Sequence, residues 1–207
     1  MLVLLLITVV NLIPTKGYCN LKIALFGDSL MAGYGLKEEF HLSTVLEKNL
    51  NEKGFNVEII NASVSGDTTN GGLKRLSWLI EKKQIDILIL CLGANDMLRG
   101  LEPNHVRTNL EKMLEILKEK KINILLAGMQ SQGSYGKEYK ENFDKIFPEL
   151  AKKFGLAFLP FLLEGIALKP EYNLSDGKHP NQLGVNLMSK NLEKELIKIF
   201  IEKDLKL

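Results

Sequence analysis

Five short apolar runs rich in β-branched residues, at 21–26, 56–60, 85–92, 122–127 and 157–159, alternate with segments of helical periodicity. In the clearest helical segment Pro103 stands at the start, and Val106, Leu110, Met113, Leu114 and Leu117 mark one apolar face. Lys118, Lys120 and Lys121 at its end complement the helix dipole. The last segment repeats the pattern with Val185, Met188, Leu192, Leu196 and Ile199. Strands that alternate with helices are joined by right-handed crossovers, which give a parallel sheet covered on both faces. The expected architecture is α/β: a three-layer α/β/α domain on a flavodoxin-like, five-stranded parallel sheet. A chain of 207 residues suffices for one such core, and no repeat, low-complexity tract or linker divides it.

In sheets of this kind, working groups collect beyond the carboxyl ends of the strands. The first four runs are followed by Gly27-Asp28-Ser29, NASVSGDTTNGG at 61–72, GANDMLRG at 93–100 and GMQSQGSYG at 128–136, and a longer loop after the fifth carries SDGKHPNQLG at 175–184. They hold most of the chain's small-polar clusters, so these clusters are expected to meet along one sheet edge.

The N-terminus has another character. Residues 2–13 are almost unbroken apolar sequence, followed by Pro14, Thr15, Lys16 and Gly17. That length is short for a bilayer span and suits the apolar region of a secretory signal, with small residues at Thr15/Gly17 or Gly17/Cys19 for cleavage. The expected organisation is a signal peptide at 1–19 and one folded domain at 20–207, in a periplasmic or secreted protein with no stable membrane insertion after cleavage. No basic residue precedes the apolar run, and an uncleaved membrane anchor is the competing reading. Tyr18 is too bulky for the usual lipidation pattern at Cys19. Cys19 and Cys91 are the two cysteines, and Cys91 lies inside an apolar run, so neither a disulfide nor a reactive thiol is expected. The 27 basic residues nearly balance the 25 acidic ones, which argues against nucleic acid as a partner.

A serine hydroxyl attacks a carbonyl only if a base takes its proton and donors stabilise the oxyanion. Ser29 follows directly on the first strand. Of the three histidines, His41 falls in the first helical segment and His105 near the start of the Pro103 helix; both read as surface or packing residues. His179 sits in a loop three positions after Asp176 and directly before Pro180 and Asn181, which read as the entry to the last helix. A carboxylate in such a turn reaches back to the imidazole and fixes its tautomer. Taken alone, the loop reads equally as a polar turn capped by Asp176. Candidate oxyanion donors are the backbone N–H of Ser29, that of Gly66 and the side-chain amide of Asn95. Taken singly, Gly66 is also a turn glycine and Asn95 a capping residue. Asp28 and Asp96 read as braces for their loops.

FGDSL at 26–30, SGDT at 65–68, GAND at 93–96 and DGKHPN at 176–181 occur in the order and spacing of the GDSL, or SGNH, hydrolases, which this chain resembles from about residue 21 to 196. The four namesake positions fall on Ser29, Gly66, Asn95 and His179, with Asp176 completing the triad. The resemblance is to the bacterial arylesterase, acyl-thioesterase and lysophospholipase subgroup. It implies a serine hydrolase, without cofactor or metal, that acts on small ester, thioester or lysolipid substrates through an acyl-serine intermediate, commonly in the periplasm, with a monomer expected. No Gly-x-Ser-x-Gly elbow surrounds Ser29, which distinguishes the chain from α/β-hydrolases.

Met97, Leu98, Leu101, Met129 and Tyr135 are the expected lining of an apolar acyl groove. Three rival readings share parts of the pattern. A carbohydrate O-acetyl esterase would use the same triad in a more aromatic, polar groove, and the single Trp78 in a helical stretch argues against it. A metal-dependent phosphoesterase would draw on Asp28, Asp96, Asp176 and His179, but His-x-His, HExxH and paired-Cys spacings are absent. A binding protein on the same sheet would not need serine, histidine and oxyanion donors together.

Overall fold

A computed structural model describes residues 20–205. The leader and its cleavage position, expected at 1–19, lie outside the described residues. The chain runs β1 (Leu21–Gly27), α1 (Ser29–Ala32), α2 (Leu42–Glu52), β2 (Val57–Asn61), α3 (Thr69–Lys82), β3 (Ile87–Cys91), α4 (Ala94–Leu98), α5 (Pro103–Glu119), β4 (Asn123–Ala127), α6 (Lys137–Asp144), α7 (Ile146–Phe154), β5 (Ala157–Leu159) and α8 (Gln182–Glu202). All neighbouring strands are parallel, in the order β2-β1-β3-β4-β5. Helices α2 and α8 pack together on one face; α3, α5 and α7 form the layer on the other. This is the three-layer α/β/α fold with its five parallel strands.

The central strand shows why the pattern was readable. Every residue of β3 is buried, as a parallel strand covered on both faces requires, and it reads as a continuous apolar run rather than an alternating one. Ile85 and Leu92, at the ends of that run, are buried outside the strand proper. In α5, Val106, Leu110, Met113, Leu114 and Leu117 are all fully buried, so the apolar stripe faces the sheet. His41 is a packing residue, as expected, but precedes the helix instead of lying within it. It lies between a 3-10 turn at Glu38–Phe40 and α2, and its ring occupies the space a side chain on Gly33 would need.

The topology fixes where the site opens. From β1 the chain crosses to β2 on one side, while from β3 it continues to β4 on the other. The loops after β1 and β3 therefore diverge and leave a crevice at the strand ends. Gly27 closes β1 at this point: a Cβ there would come within 2.8 Å of the Cys91 carbonyl oxygen and 2.7 Å of Met31 sulfur. Only glycine lets β1 approach β3 this closely before the chain turns into α1.

Candidate active site

Ser29 is the first residue of α1, and Asp28 caps that helix by accepting the Leu30 N–H at 3.0 Å. The Ser29 Oγ lies 2.9 Å from His179 Nε2, across 150 residues of sequence. His179 Nδ1 is 2.7 Å from Asp176 Oδ2. The other oxygen of Asp176 accepts the backbone N–H groups of Lys178 at 2.9 Å and His179 at 3.0 Å. The His179 N–H, then its ring, then the Lys178 N–H hold the Asp176 carboxyl down at about 2, below its ordinary 3.8. An ionised carboxylate only accepts, so Nδ1 carries the imidazole proton and Nε2 is left as acceptor for the serine hydroxyl.

The histidine loop is tied down on both sides. Leu174 donates to the His179 carbonyl at 2.7 Å, and Asn173 pairs with Pro180 in an antiparallel bridge. The buried Asn173 amide donates to the carbonyls of Ile166 and Lys169, at 2.9 and 2.7 Å. Asn181 caps α8 through Leu183 and Gly184. The Tyr34 ring packs against the imidazole with centroids 4.3 Å apart.

Ser29, Gly66 and Asn95 line one cavity. The backbone N–H groups of Ser29 and Gly66 have no protein acceptor among the described residues. Gly66 has φ +79°, a left-handed conformation that disfavours a side chain. The Asn95 amide nitrogen donates to the Asp67 carbonyl at 3.0 Å and to Asp28 Oδ2 at 3.2 Å. Burial pushes the Asp28 carboxyl from 3.8 up to about 6, against the Leu30 N–H, the His179 charge and the Asn95 amide, which pull it down. Asp96 is fully buried and accepts the Thr69 N–H at 2.8 Å and hydroxyl at 2.6 Å. Asn109 in α5 extends that network by donating to the same hydroxyl. Asp28, Asp96 and Asp176 are thus each committed to a different partner. His105 contacts Asn109 at 3.1 Å, and His41 Nε2 contacts the Leu36 carbonyl.

A cavity of about 800 Å³ opens over these groups. Met97, Leu98 and Met129 line it; Leu101 and Tyr135 do not. The Leu101 carbonyl accepts the Tyr139 hydroxyl at 2.8 Å, and Tyr135 packs on the Tyr139 ring, which draws both residues into the wall behind. Leu30, Tyr34, Phe161, Leu163 and Leu168 supply apolar lining that the sequence reading did not single out. Phe161 and Leu163 follow the fifth strand closely, so the strand-end rule itself was the available signal.

Comparison with known proteins gives a consistent result. The family model described as GDSL-like Lipase/Acylhydrolase matches residues 25–187. An arylesterase of Vibrio mimicus is 37% identical over 177 residues, covering 86% of this chain and 88% of the relative. Thioesterase 1/protease 1/lysophospholipase L1 of Escherichia coli (strain K12) is 36% identical over 160 residues, covering 77% and 76%. The crystal structure of AlinE4, an SGNH-hydrolase family esterase, superposes with a TM-score of 0.74 at 40% identity, covering 87% of this chain and 96% of that one.

Proposed function

The chain belongs to the GDSL-like lipase/acylhydrolase family, and from that premise we propose a serine esterase in which Ser29 is the nucleophile, His179 the general base and acid, and Asp176 the group that orients it. The observation that carries the assignment is the unbroken line Ser29 Oγ, His179 Nε2, His179 Nδ1, Asp176 Oδ2, with spacings of 2.9 and 2.7 Å. Nε2 takes the hydroxyl proton as Oγ bonds to the ester carbonyl carbon. The carbonyl electron pair moves to oxygen, which the Ser29 and Gly66 N–H groups and the Asn95 amide receive. Collapse of this intermediate breaks the bond to the leaving group, which takes the proton from Nε2. Water then repeats the sequence on the acyl-serine, with His179 as its base, and releases the acid.

Carboxylic esters are the substrate class, and acyl thioesters and lysophospholipids extend it. The apolar wall formed by Met97, Leu98, Met129, Phe161 and Leu163 supports an acyl chain as the recognised part. The names of the relatives, arylesterase and thioesterase/lysophospholipase, support the same range. The carbohydrate O-acetyl esterase reading is not favoured: Trp78 stands exposed on α3, away from the cavity lining.

Turnover of one purified sample on p-nitrophenyl esters of graded chain length, acyl-coenzyme A thioesters, lysophospholipids and acetylated sugars tests this assignment. Acyl esters are expected to lead, and preference for acetylated sugars would overturn it. The apolar run at 2–13 supports export, and N-terminal sequencing of the periplasmic or secreted protein tests that reading.

A further inference from the structure

We propose that Arg75 is a positioning residue that holds the oxyanion-binding loops in register; the inference rests on the esterase reading. Three separate segments supply the candidate donors: the start of α1 for Ser29, the turn after β2 for Gly66, and α4 for Asn95. Preorganised donors stabilise a transition state only if their mutual spacing is fixed before substrate arrives.

Arg75 lies within α3, and its side chain reaches the first two segments at once. Nε donates to Asp67 Oδ2 at 2.7 Å, one residue after Gly66. One terminal nitrogen donates to the Ala62 carbonyl at 2.5 Å, where the chain leaves β2. The other donates to the Gly27 carbonyl at 3.1 Å, two residues before Ser29. The third segment joins through Asp67, whose backbone carbonyl accepts the Asn95 amide at 3.0 Å.

The guanidinium is held in place as well. It lies over the ring of fully buried Phe26, 3.8 Å from the centroid, so its plane is set by β1 itself. Asp67 is equally constrained: a side chain on Gly71 would overlap its carboxylate at 1.8 Å. The rigid fork of arginine suits three divergent acceptors, and a lysine ammonium on a flexible stem does not reproduce it. Arg75 touches none of the reacting atoms. It acts by fixing the amides that do.

Donors used only in the transition state lower kcat when displaced and leave substrate binding nearly intact. The experiment compares wild-type, Arg75→Met, Arg75→Lys and Arg75→Ala proteins with p-nitrophenyl acetate, counting sites by fluorophosphonate labelling taken to completion. For Arg75→Met, kcat per labelled site is expected to fall about 100-fold with KM within about threefold. Arg75→Lys should fall by about tenfold or more, and methylguanidinium should restore part of the turnover of Arg75→Ala. A purely structural staple would reduce the number of labelled sites and leave kcat per site unchanged, which would overturn the proposal. So would a raised KM at constant kcat.

If Arg75→Met does not fold, Asp67→Asn carries the test. It keeps the side-chain shape, weakens the ion pair and is expected to lower kcat about tenfold; unchanged kcat would overturn the proposal. Wild-type protein that takes no label overturns the serine assignment and this inference together, whereas labelled wild-type with unaffected variants overturns the inference alone.

Discussion

The side-chain amide of Asn95 stands 3.2 Å from the Asp28 carboxylate, so the residue before Ser29 and a candidate oxyanion donor are directly bonded. The second hydrogen of that amide serves the Asp67 carbonyl at 3.0 Å. A carboxamide has two hydrogens, and both are committed in the resting site. For Asn95 to receive an oxyanion, the longer bond to Asp28 must give way, and the shorter bond to Asp67 keeps the group aimed. On the proposed esterase mechanism, Asp28 holds the amide until the negative charge forms.

Asn95→Ala should lower kcat by about a hundred- to a thousandfold with little change in KM, because the donor acts on charge that develops only in the transition state. Steady-state kinetics on a p-nitrophenyl ester check this. A raised KM at full kcat would place Asn95 in ground-state binding instead.

Asp28 carries a stability signature. Its folded pKa of about 6 lies above the ordinary 3.8, so ionisation opposes folding. The cost is absent below about pH 4, grows as pH rises and is complete above about pH 6. Asp28→Asn keeps a capping side chain and removes the cost. Its stability advantage over wild type should widen by up to about 3 kcal/mol between pH 4 and pH 7. Urea unfolding at the two pH values measures it, and a constant difference would contradict the account.

Asp176 has the opposite sign. Its folded pKa of about 2 lies below 3.8, so its contribution is present above about pH 4 and is lost as pH falls toward 2. Asp176→Asn should abolish that acid-dependent loss in urea titrations. The same variant should lower kcat by about a thousand- to ten-thousandfold, since Asn no longer fixes the proton on Nδ1.

Leu168 lies on the cavity wall, 84% exposed, with a left-handed φ of +63°. Leucine in that region costs roughly 1 kcal/mol, and glycine does not pay it. Leu168→Gly should therefore raise the urea midpoint even as it strips an apolar side chain from the mouth. A lowered midpoint would mean that the turn is unstrained.

Much of this arrangement was legible in the sequence because it rests on local pattern. Apolar runs gave the five strands to within two residues at every end; β3, buried along its whole length, has no polar position to blur it, whereas the edge strand β2 carries the exposed Glu58. Ser29, Gly66 and Asn95 stood out in the small-polar segments that follow strands, and His179 by its place three positions after Asp176 and directly before Pro180. What the sequence did not show depends on tertiary approach. Arg75 reads as an ordinary polar position of an amphipathic helix until Gly27, Ala62 and Asp67 come together around it. Leu101 and Tyr135 share loops with true lining residues, but Tyr139 draws them behind the wall. Leu168 reaches the cavity through a turn fixed by Asn173, a contact that no periodicity encodes.

On the proposed mechanism the Ser29 hydroxyl, activated by His179, is the group that becomes acylated. Intact-mass and peptide analysis after treatment with diethyl p-nitrophenyl phosphate tests it most directly. One diethylphosphoryl group per chain is expected, attached to Ser29, with matching release of p-nitrophenolate and no adduct on Ser29→Ala. An adduct on another residue, or a Ser29→Ala protein that still takes the label, would contradict it.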